Sequence, residues 1–377
     1  MAEKKYFPQL DRLRGMAILM VLFYHSILVY PLDLTQIPWC KVLHTNLWLV
    51  EMPIFFLVAG WCFCYDGSYG SYIKKKAWRL LVPHFAFGLL DLLLRVVPNP
   101  LVHETYPIGK ACKEFFIYAS NEWFLWTLFC MFAIAPFVHL CMQKGKAARI
   151  LILGVALFLT LIQNIMTTVF SFKNIANFLI YFVMGMLLRR TMDLAPRKNK
   201  EEMENVAVWK RCFGIVAGVI VGSLLIKVLQ WHGWNGYDET WRLTFGKWVQ
   251  PVIEVLTFYF YPGVSLLKFI RTLTEITMVL SWILALYQLA CLIKTGIVAR
   301  FLTLCSRYSM QMYLLNGYVL VLTRTLLVSV LGISNPIVII LGNFVPDTIL
   351  VLIISKYILD CWNWTRIPAG LRSRGKE

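Results

Sequence analysis

The stretch LDRLRGMAILMVLFYHSILVY, residues 10–30, joins a long apolar run to charged groups at its start. The run that begins at Leu13 approaches the roughly 20 residues that a helix needs to cross a bilayer. A secretory signal peptide has a similar run, but this one contains Arg14 and His25, lacks a small-residue cleavage site and is followed by further apolar runs. We therefore predict that residues 13–31 form the first membrane-spanning helix.

The rest of the chain repeats this pattern of apolar runs separated by clusters of charge. Of the 377 residues, 59% are hydrophobic and only 15% are charged, whereas a soluble domain carries about a quarter charged residues. We predict an all-α, polytopic membrane protein of about ten transmembrane helices, forming a single domain over residues 1–377. The predicted helices are residues 13–31, 44–64, 78–97, 122–142, 149–168, 174–190, 210–230, 272–293, 308–330 and 336–357.

Positive charge falls at the ends of these helices. The formal net charge is +17, and the positive-inside rule and anionic headgroups account for it without a nucleic-acid partner. The bias places short N- and C-terminal tails in the cytoplasm. Residues 245–270 are apolar enough to span, but an eleventh span would reverse the bias. We therefore place residues 231–270 outside the membrane as a Trp- and Tyr-rich cap, with a spanning segment as the alternative.

The ten cysteines predict neither a disulfide framework nor a metal site. Most lie inside apolar runs, where a free cysteine behaves as a small hydrophobic residue. Cys62 and Cys64 are two residues apart, so they do not share a face of a helix. We expect no bound metal.

Ionisable groups inside the predicted helices are the first candidates for function, because a charge in hydrocarbon is costly. Arg14 and His25 are eleven residues apart, almost three turns, so they share one face about 16 Å apart along the axis. Asp11 lies one turn before Arg14 and is predicted to pair with it. A structural histidine is the alternative for His25.

Other buried charges are predicted in the outer half of the protein. Glu51 lies at the depth of His25 if helices 1 and 2 pack antiparallel, and it would then fix the His25 tautomer. The alternative is a protonated Glu51 bonded to a backbone carbonyl or to another helix. Arg324 and Asp347 lie on consecutive helices at similar depth, which predicts a structural ion pair.

The segment KKKAWRLLVP, residues 74–83, carries a basic cluster at the inner end of helix 3. Lys76 and Arg79 are three residues apart, so their side chains lie on adjacent turns and suit a phosphate. Orientation of the helix by the positive-inside rule is the alternative explanation.

Five segments, in order, resemble the acyltransferase-3 family of integral membrane O-acyltransferases. They are Arg14-x10-His25, MPIFFLVAGWCF (52–63), KKKAWRLLVP (74–83), EWFLWTLF (122–129) and SRYSMQMYLLN (306–316). The departures are Ala59 for a serine, Lys76 for an arginine and Asn316 where a histidine is often found. Lysine keeps the charge but loses the bidentate fork of arginine, and an amide does not titrate.

The resemblance implies an acyl-CoA donor, such as acetyl-CoA, taken from the cytoplasm. Arg14, Lys76 and Arg79 would hold its phosphates. His25 would deprotonate the acceptor hydroxyl or carry the acyl group itself, and these two routes stay open. Asp11, Arg14 and Glu51 complete the expected catalytic group.

The matching segments also point to substrate contacts, at Glu122, Trp123, Tyr313 and Asn316. The resemblance implies a hydroxyl acceptor on a surface glycan or related cell-envelope molecule, and a location in the bacterial plasma membrane among its lipids. A transporter or flippase of a glycan or lipid intermediate is the alternative, since it too would carry charges at mid-membrane. A purely structural membrane protein is a third interpretation. The sequence predicts no oligomeric state.

Overall fold

The computed structural model describes residues 6–28, 31–65, 67–96, 107–119, 122–163, 166–194, 208–231 and 266–371. Within these ranges the chain is helical and has no β-strand. The helices are α1 (Pro8–Ser26), α2 (Pro38–Trp61), α3 (Tyr69–Val96), α4 (Ile108–Cys112), α5 (Trp123–Gln143), α6 (Lys146–Ile162), α7 (Phe172–Leu194), α8 (Val208–Trp231), α9 (Leu266–Leu292), α10 (Gly296–Arg307), α11 (Ser309–Arg324), α12 (Pro336–Ile354) and α13 (Asn363–Arg366). Residues 232–265 of the predicted cap lie outside the described residues, whereas Trp231 ends α8 and residues 266–270 belong to α9.

Each of the predicted transmembrane segments overlaps a helix. Among the described residues, eight helices are long and apolar enough to cross a membrane. Two other helices, α1 and α6, do not meet these criteria of length and apolarity, for different reasons. The first turns of α1 carry Asp11, Arg12 and Arg14, whereas α6 has only 17 residues. The all-α, polytopic membrane architecture is confirmed.

The first two helices begin and end earlier than predicted. Pro8 occupies the first turn of α1, where its missing N–H costs nothing. The helix stops at Ser26, because Ile27 adopts an extended backbone. Pro38 opens α2 in the same way. As a result, His25 lies in the last turn of α1 rather than well inside the membrane-spanning part.

The helices α1 and α2 are antiparallel neighbours, as predicted. The rings of Phe7 and Trp61 lie 6.2 Å apart at one end of the pair. At the other end Tyr24 stacks on His44 with 4.2 Å between centroids. We call these two ends of the bundle the Arg14 end and the His25 end.

The first helix lies at the centre of the bundle, in contact with α2, α9, α10, α11 and α12. Ala17 and Ile18, halfway along it, are completely buried. Gly15 lets the helix approach closely, since a Cβ there would collide with the backbone carbonyl of Leu302. Small residues serve membrane helices in this way, because packing rather than the hydrophobic effect holds them together.

Arg12 ties the start of α1 to the end of α9. Its Nε donates to the Ala290 carbonyl at 2.7 Å, and its Nη1 donates to the Lys294 carbonyl at 3.4 Å. A cation at a helix C-terminus satisfies the last carbonyls and complements the helix dipole. Arg12 is therefore a structural residue.

Candidate active site

A cavity of about 1140 Å³ opens at the His25 end of the bundle. Its wall includes His25, Glu51, Trp123 and Tyr313, which come from four different helices. Four of the residues predicted to act in catalysis or substrate binding therefore meet at one cavity.

The His25 side chain is exposed, and what it faces is this cavity. Tyr24 meets its ring edge-on at 4.9 Å, and the same Tyr24 stacks on His44. His44 and Arg324 lie close enough to interact with a charge on His25. No hydrogen bond from the described residues reaches the imidazole, so both of its nitrogens are available to a substrate.

Glu51 projects into the cavity wall from α2. It is only 3% exposed, and its Oε2 has no hydrogen-bonding partner among the described residues. Tyr24 and Tyr313 both lie within electrostatic range of its carboxyl group. No hydrogen bond joins Glu51 to His25 in the described part of the chain, so their coupling stays a prediction that requires a bridging water or substrate group.

The four predicted substrate contacts divide into two pairs. Trp123, stacked on Phe178 at 5.6 Å, and Tyr313 line the cavity. Glu122 and Asn316 are buried and do not belong to the residues that line it. Glu122 does reach the site electrostatically, through Tyr313.

At the Arg14 end, the predicted ion pair of α1 is present. Arg14 Nη2 donates to Asp11 Oδ1 at 2.9 Å. Ser306, in the last turn of α10, closes a triangle, because its Oγ accepts from Arg14 Nε at 2.9 Å and donates to Asp11 Oδ1 at 3.2 Å. These bonds hold the guanidinium of Arg14 in one place.

Arg14 also lines a second, smaller cavity of about 60 Å³. Arg79 and Arg307 lie in the same wall, so three arginine residues border this cavity. Lys76 is not in this wall, since its ammonium lies 3.6 Å from the centroid of the Phe132 ring. The structure therefore brings two of the three predicted phosphate ligands together and directs the third elsewhere.

Comparison with known proteins identifies the family of the chain. A family model described as an acyltransferase domain, acyltransferase-3, matches residues 7–356, nearly the whole chain. The chain belongs to the acyltransferase-3 family. No curated protein and no solved structure matches it significantly.

Membership of the acyltransferase-3 family makes the chain a membrane-embedded acyltransferase. The match includes both α1, with Arg14 and His25, and the helices that complete the two cavities. Among the described residues, no three His, Cys, Asp or Glu side chains cluster as a metal site.

Sequence reasoning missed one wall of the acyltransferase cavity. Asn174 and Asn177 on α7 line it, and so do Arg271 and Glu275 of α9, which form an ion pair of 2.9 Å. Neutral amides carry no charge to mark them within a helix. Their spacing was the available signal, because residues three or four apart share a helix face.

The predicted ion pair of Arg324 and Asp347 is wrong. Asp347 is completely buried, and neither carboxylate oxygen has a hydrogen-bonding partner among the described residues. Thr323 and Asn343 make the contact between α11 and α12 instead, with 3.0 Å between Oγ1 and Oδ1. Arg324 instead lies within electrostatic range of His25.

Proposed function

We propose that this acyltransferase moves an acetyl or other acyl group from cytoplasmic acyl-CoA to a hydroxyl of a surface glycan or a related cell-envelope acceptor, in the bacterial plasma membrane. One observation carries the proposal. Arg14 and His25 lie on one face of α1, and each lines a different cavity, one at each end of the bundle. A donor whose phosphates bind at Arg14 would extend along α1 and bring its thioester to His25.

The smaller cavity suits the phosphates of the donor. Guanidinium groups bind phosphate oxygens through paired, charge-assisted hydrogen bonds. Arg14 is already held by Asp11 and Ser306, so little side-chain entropy is lost when it binds. With the termini in the cytoplasm, this end of the bundle faces the pool of acyl-CoA.

His25 supplies the reaction chemistry at the larger cavity. As a general base it takes the proton of the acceptor hydroxyl while the oxygen attacks the thioester carbon. The C–S bond then breaks, and the CoA thiolate takes the proton from the imidazolium. In the alternative route His25 attacks the thioester carbon first and CoA leaves as the thiolate. The acceptor oxygen then takes the acyl group from the ring, and the hydroxyl proton passes to the CoA thiolate.

The larger cavity suits a polyhydroxylated acceptor. Its volume of about 1140 Å³ exceeds the range of roughly 300–1,000 Å³ that is usual for small-molecule sites. Asn174 and Asn177 offer both donors and acceptors of hydrogen bonds, and Trp48 and Trp123 offer flat apolar surfaces. A sugar presents the same mixture of hydroxyl groups and apolar ring faces.

The path between the two cavities is closed in this structure. Ile18 lies between Arg14 and His25 on the same helix face, and it is completely buried. Under the proposal, the pantetheine arm of the donor displaces side chains around Ile18 as it enters.

Purified protein in lipid vesicles tests the proposal. Acetyl-CoA labelled in the acetyl group is added with an envelope extract as acceptor, and free CoA thiol and labelled product are both measured. Equal amounts of thiol and labelled ester support the proposal. Movement of a glycan or lipid across the vesicle membrane without thioester cleavage would favour the transporter instead.

A further inference from the structure

The smaller cavity has a wall that the proposed function does not use. After α12, residues 363–371 fold back across the Arg14 end of the bundle, and Gly370 and Leu371 line the cavity beside Arg79. Gln311 Nε2, in the first turn of α11, donates to the carbonyl of Ala369 and fixes this segment. The cavity is therefore incomplete without the C-terminal part of the described chain.

Gly370 fits closely against α3 and α11. Its φ of +72° is the left-handed conformation that glycine adopts readily. A Cβ there would collide with Met310 and lie 2.9 Å from Pro83 Cγ and 3.0 Å from the Arg79 carbonyl oxygen. The C-terminal segment therefore packs closely against α3 and α11.

Arg307 is the cation of this cavity that can change partner. Its side chain is 67% exposed, and its Nη2 lies 3.6 Å from Asp360 Oδ2, a long contact. Asp360 also accepts from Tyr308 Oη at 2.7 Å and pairs with Arg366. If Arg307 turned to a ligand, Asp360 would keep two partners, so no buried carboxylate would be stranded.

Two further features point to an anionic ligand with a hydroxyl group beside it. The first turn of α11, a helix of 16 residues, faces the cavity through Ser309 and Gln311, and helix N-termini favour anions. Gln311 is 1% exposed, and its Oε1 has no hydrogen-bonding partner in the described chain. That oxygen accepts a hydrogen bond and so suits a hydroxyl rather than a phosphate oxygen.

The combination of groups in the wall narrows the choice of anion. The arginines and the first turn of α11 suit a phosphate, and the buried Gln311 Oε1 beside them suits a hydroxyl group. An acyl-CoA carries a diphosphate in its chain and a single phosphate on the ribose. Only the single phosphate has a free hydroxyl on the neighbouring carbon.

We propose that the first turn of α11, Arg307 and residues 363–371 complete a single-phosphate subsite that takes the ribose 3′-phosphate of the acyl-CoA donor. The adjacent ribose hydroxyl donates to Gln311 Oε1. This inference rests on the proposed function, because it assumes that acyl-CoA is the donor. It predicts that the enzyme selects donors with a 3′-phosphate, so that a donor without this group binds poorly.

The test compares two donors and two matched variants. KM is measured for acetyl-CoA and for acetyl-3′-dephospho-CoA with the wild type, Arg307→Gln and Arg300→Gln. Arg300 is on the same helix, α10, but is exposed and outside the cavity wall. Arg307→Gln is expected to raise KM for acetyl-CoA about tenfold, the usual effect of losing a charged hydrogen bond. It should leave KM for the dephospho donor and kcat nearly unchanged. Arg300→Gln should leave KM for both donors and kcat unchanged.

The C-terminal wall is tested separately with Gly370→Ala against Gly67→Ala. Gly67 has a similar φ of +81° but nothing within 4 Å of its Cβ position, so it reproduces the backbone strain alone. Only Gly370→Ala should narrow the preference for acetyl-CoA over the dephospho donor. If Arg307→Gln or Gly370→Ala raised KM by the same factor for both donors, the proposed subsite would be overturned.

A lipid phosphate is the other source of the same chemistry. Adenosine 3′,5′-bisphosphate should compete with acetyl-CoA, and vesicles containing phosphatidic acid should not. Competition by the lipid alone would overturn the assignment to the donor. Calorimetry that compares the affinities for CoA and dephospho-CoA tests the subsite without turnover. A wild type that binds CoA more tightly than dephospho-CoA but transfers no acyl group would reject the proposed function and support the subsite.

Discussion

His25 and Glu51 line one cavity from two antiparallel helices, and no hydrogen bond joins their side chains. The carboxyl oxygen Oε2 of Glu51 is buried without a partner among the described residues. A buried carboxyl group that lacks a partner is costly, and such a cost is tolerated where a substrate or water later supplies the bond. The arrangement is that of a site that is completed when it binds.

His25→Ala is expected to lower turnover by at least about a hundredfold, the usual contribution of a general base. The protein should insert and fold normally, because the imidazole has no hydrogen bond in the described structure to lose. The measurement is kcat in vesicles, with thermal stability as the check on folding. His139→Ala is the matched control, since His139 bonds Gln143 and lines neither cavity. Near-wild-type turnover in His25→Ala would reject this mechanism.

Isotope exchange between free CoA and acetyl-CoA, with no acceptor present, separates the two routes at His25. A covalent acyl-histidine forms before the acceptor binds, so that route predicts exchange. The general-base route predicts none, because the thioester stays intact until a hydroxyl attacks it. We expect no exchange, and its appearance in the wild type but not in His25→Ala would establish the acyl carrier.

Arg79→Gln and Lys76→Gln are expected to differ, although both remove one charge from the same segment. Arg79 lines the small cavity, whereas Lys76 lies over the ring of Phe132. Arg79→Gln should raise the donor KM about tenfold and leave kcat unchanged, since phosphate contacts are alike in the ground and transition states. Lys76→Gln should leave the donor KM nearly unchanged. If both variants raised the donor KM equally, the basic cluster would serve only to orient the helix in the membrane.

Glu51→Gln is expected to retain the fold and to lower kcat about tenfold, through loss of a charge-assisted hydrogen bond in the bridged state. The amide keeps the shape and some of the bonding but does not stabilise an imidazolium. Glu114→Gln is a suitable comparison, because Glu114 lines the same cavity from the segment after α4. If both variants lose the same activity, the carboxyl group acts only through the charge of the cavity.

The sequence was sufficient for the order and approximate positions of the apolar helices, because runs of bilayer length leave few alternatives. It did not give the end of α1. Ile27 turns to an extended backbone although the following residues, Ile27 to Tyr30, are again apolar, so the end at Ser26 does not follow from composition or periodicity. Boundaries of this kind depend on the packing of the following loop, which a single sequence does not contain.

The site was predictable where charge and spacing agree, and not where geometry depends on neighbouring helices. Arg14, His25 and Asp11 are fixed by one helix, and their relative positions follow from its pitch. Lys76 shares a segment with Arg79 but faces an aromatic ring of α5. The role of Arg307 depends on residues 363–371, which are distant in sequence, so no local pattern identifies it.

The most direct test of the account is acetyl transfer from labelled acetyl-CoA in inside-out membrane vesicles that contain the wild type or His25→Ala. The account predicts labelled ester in envelope material and an equal amount of free CoA with the wild type, and neither above background with the variant. Cleavage of the thioester at the same rate in both preparations, or no cleavage by a folded wild type supplied with envelope acceptor, would contradict it.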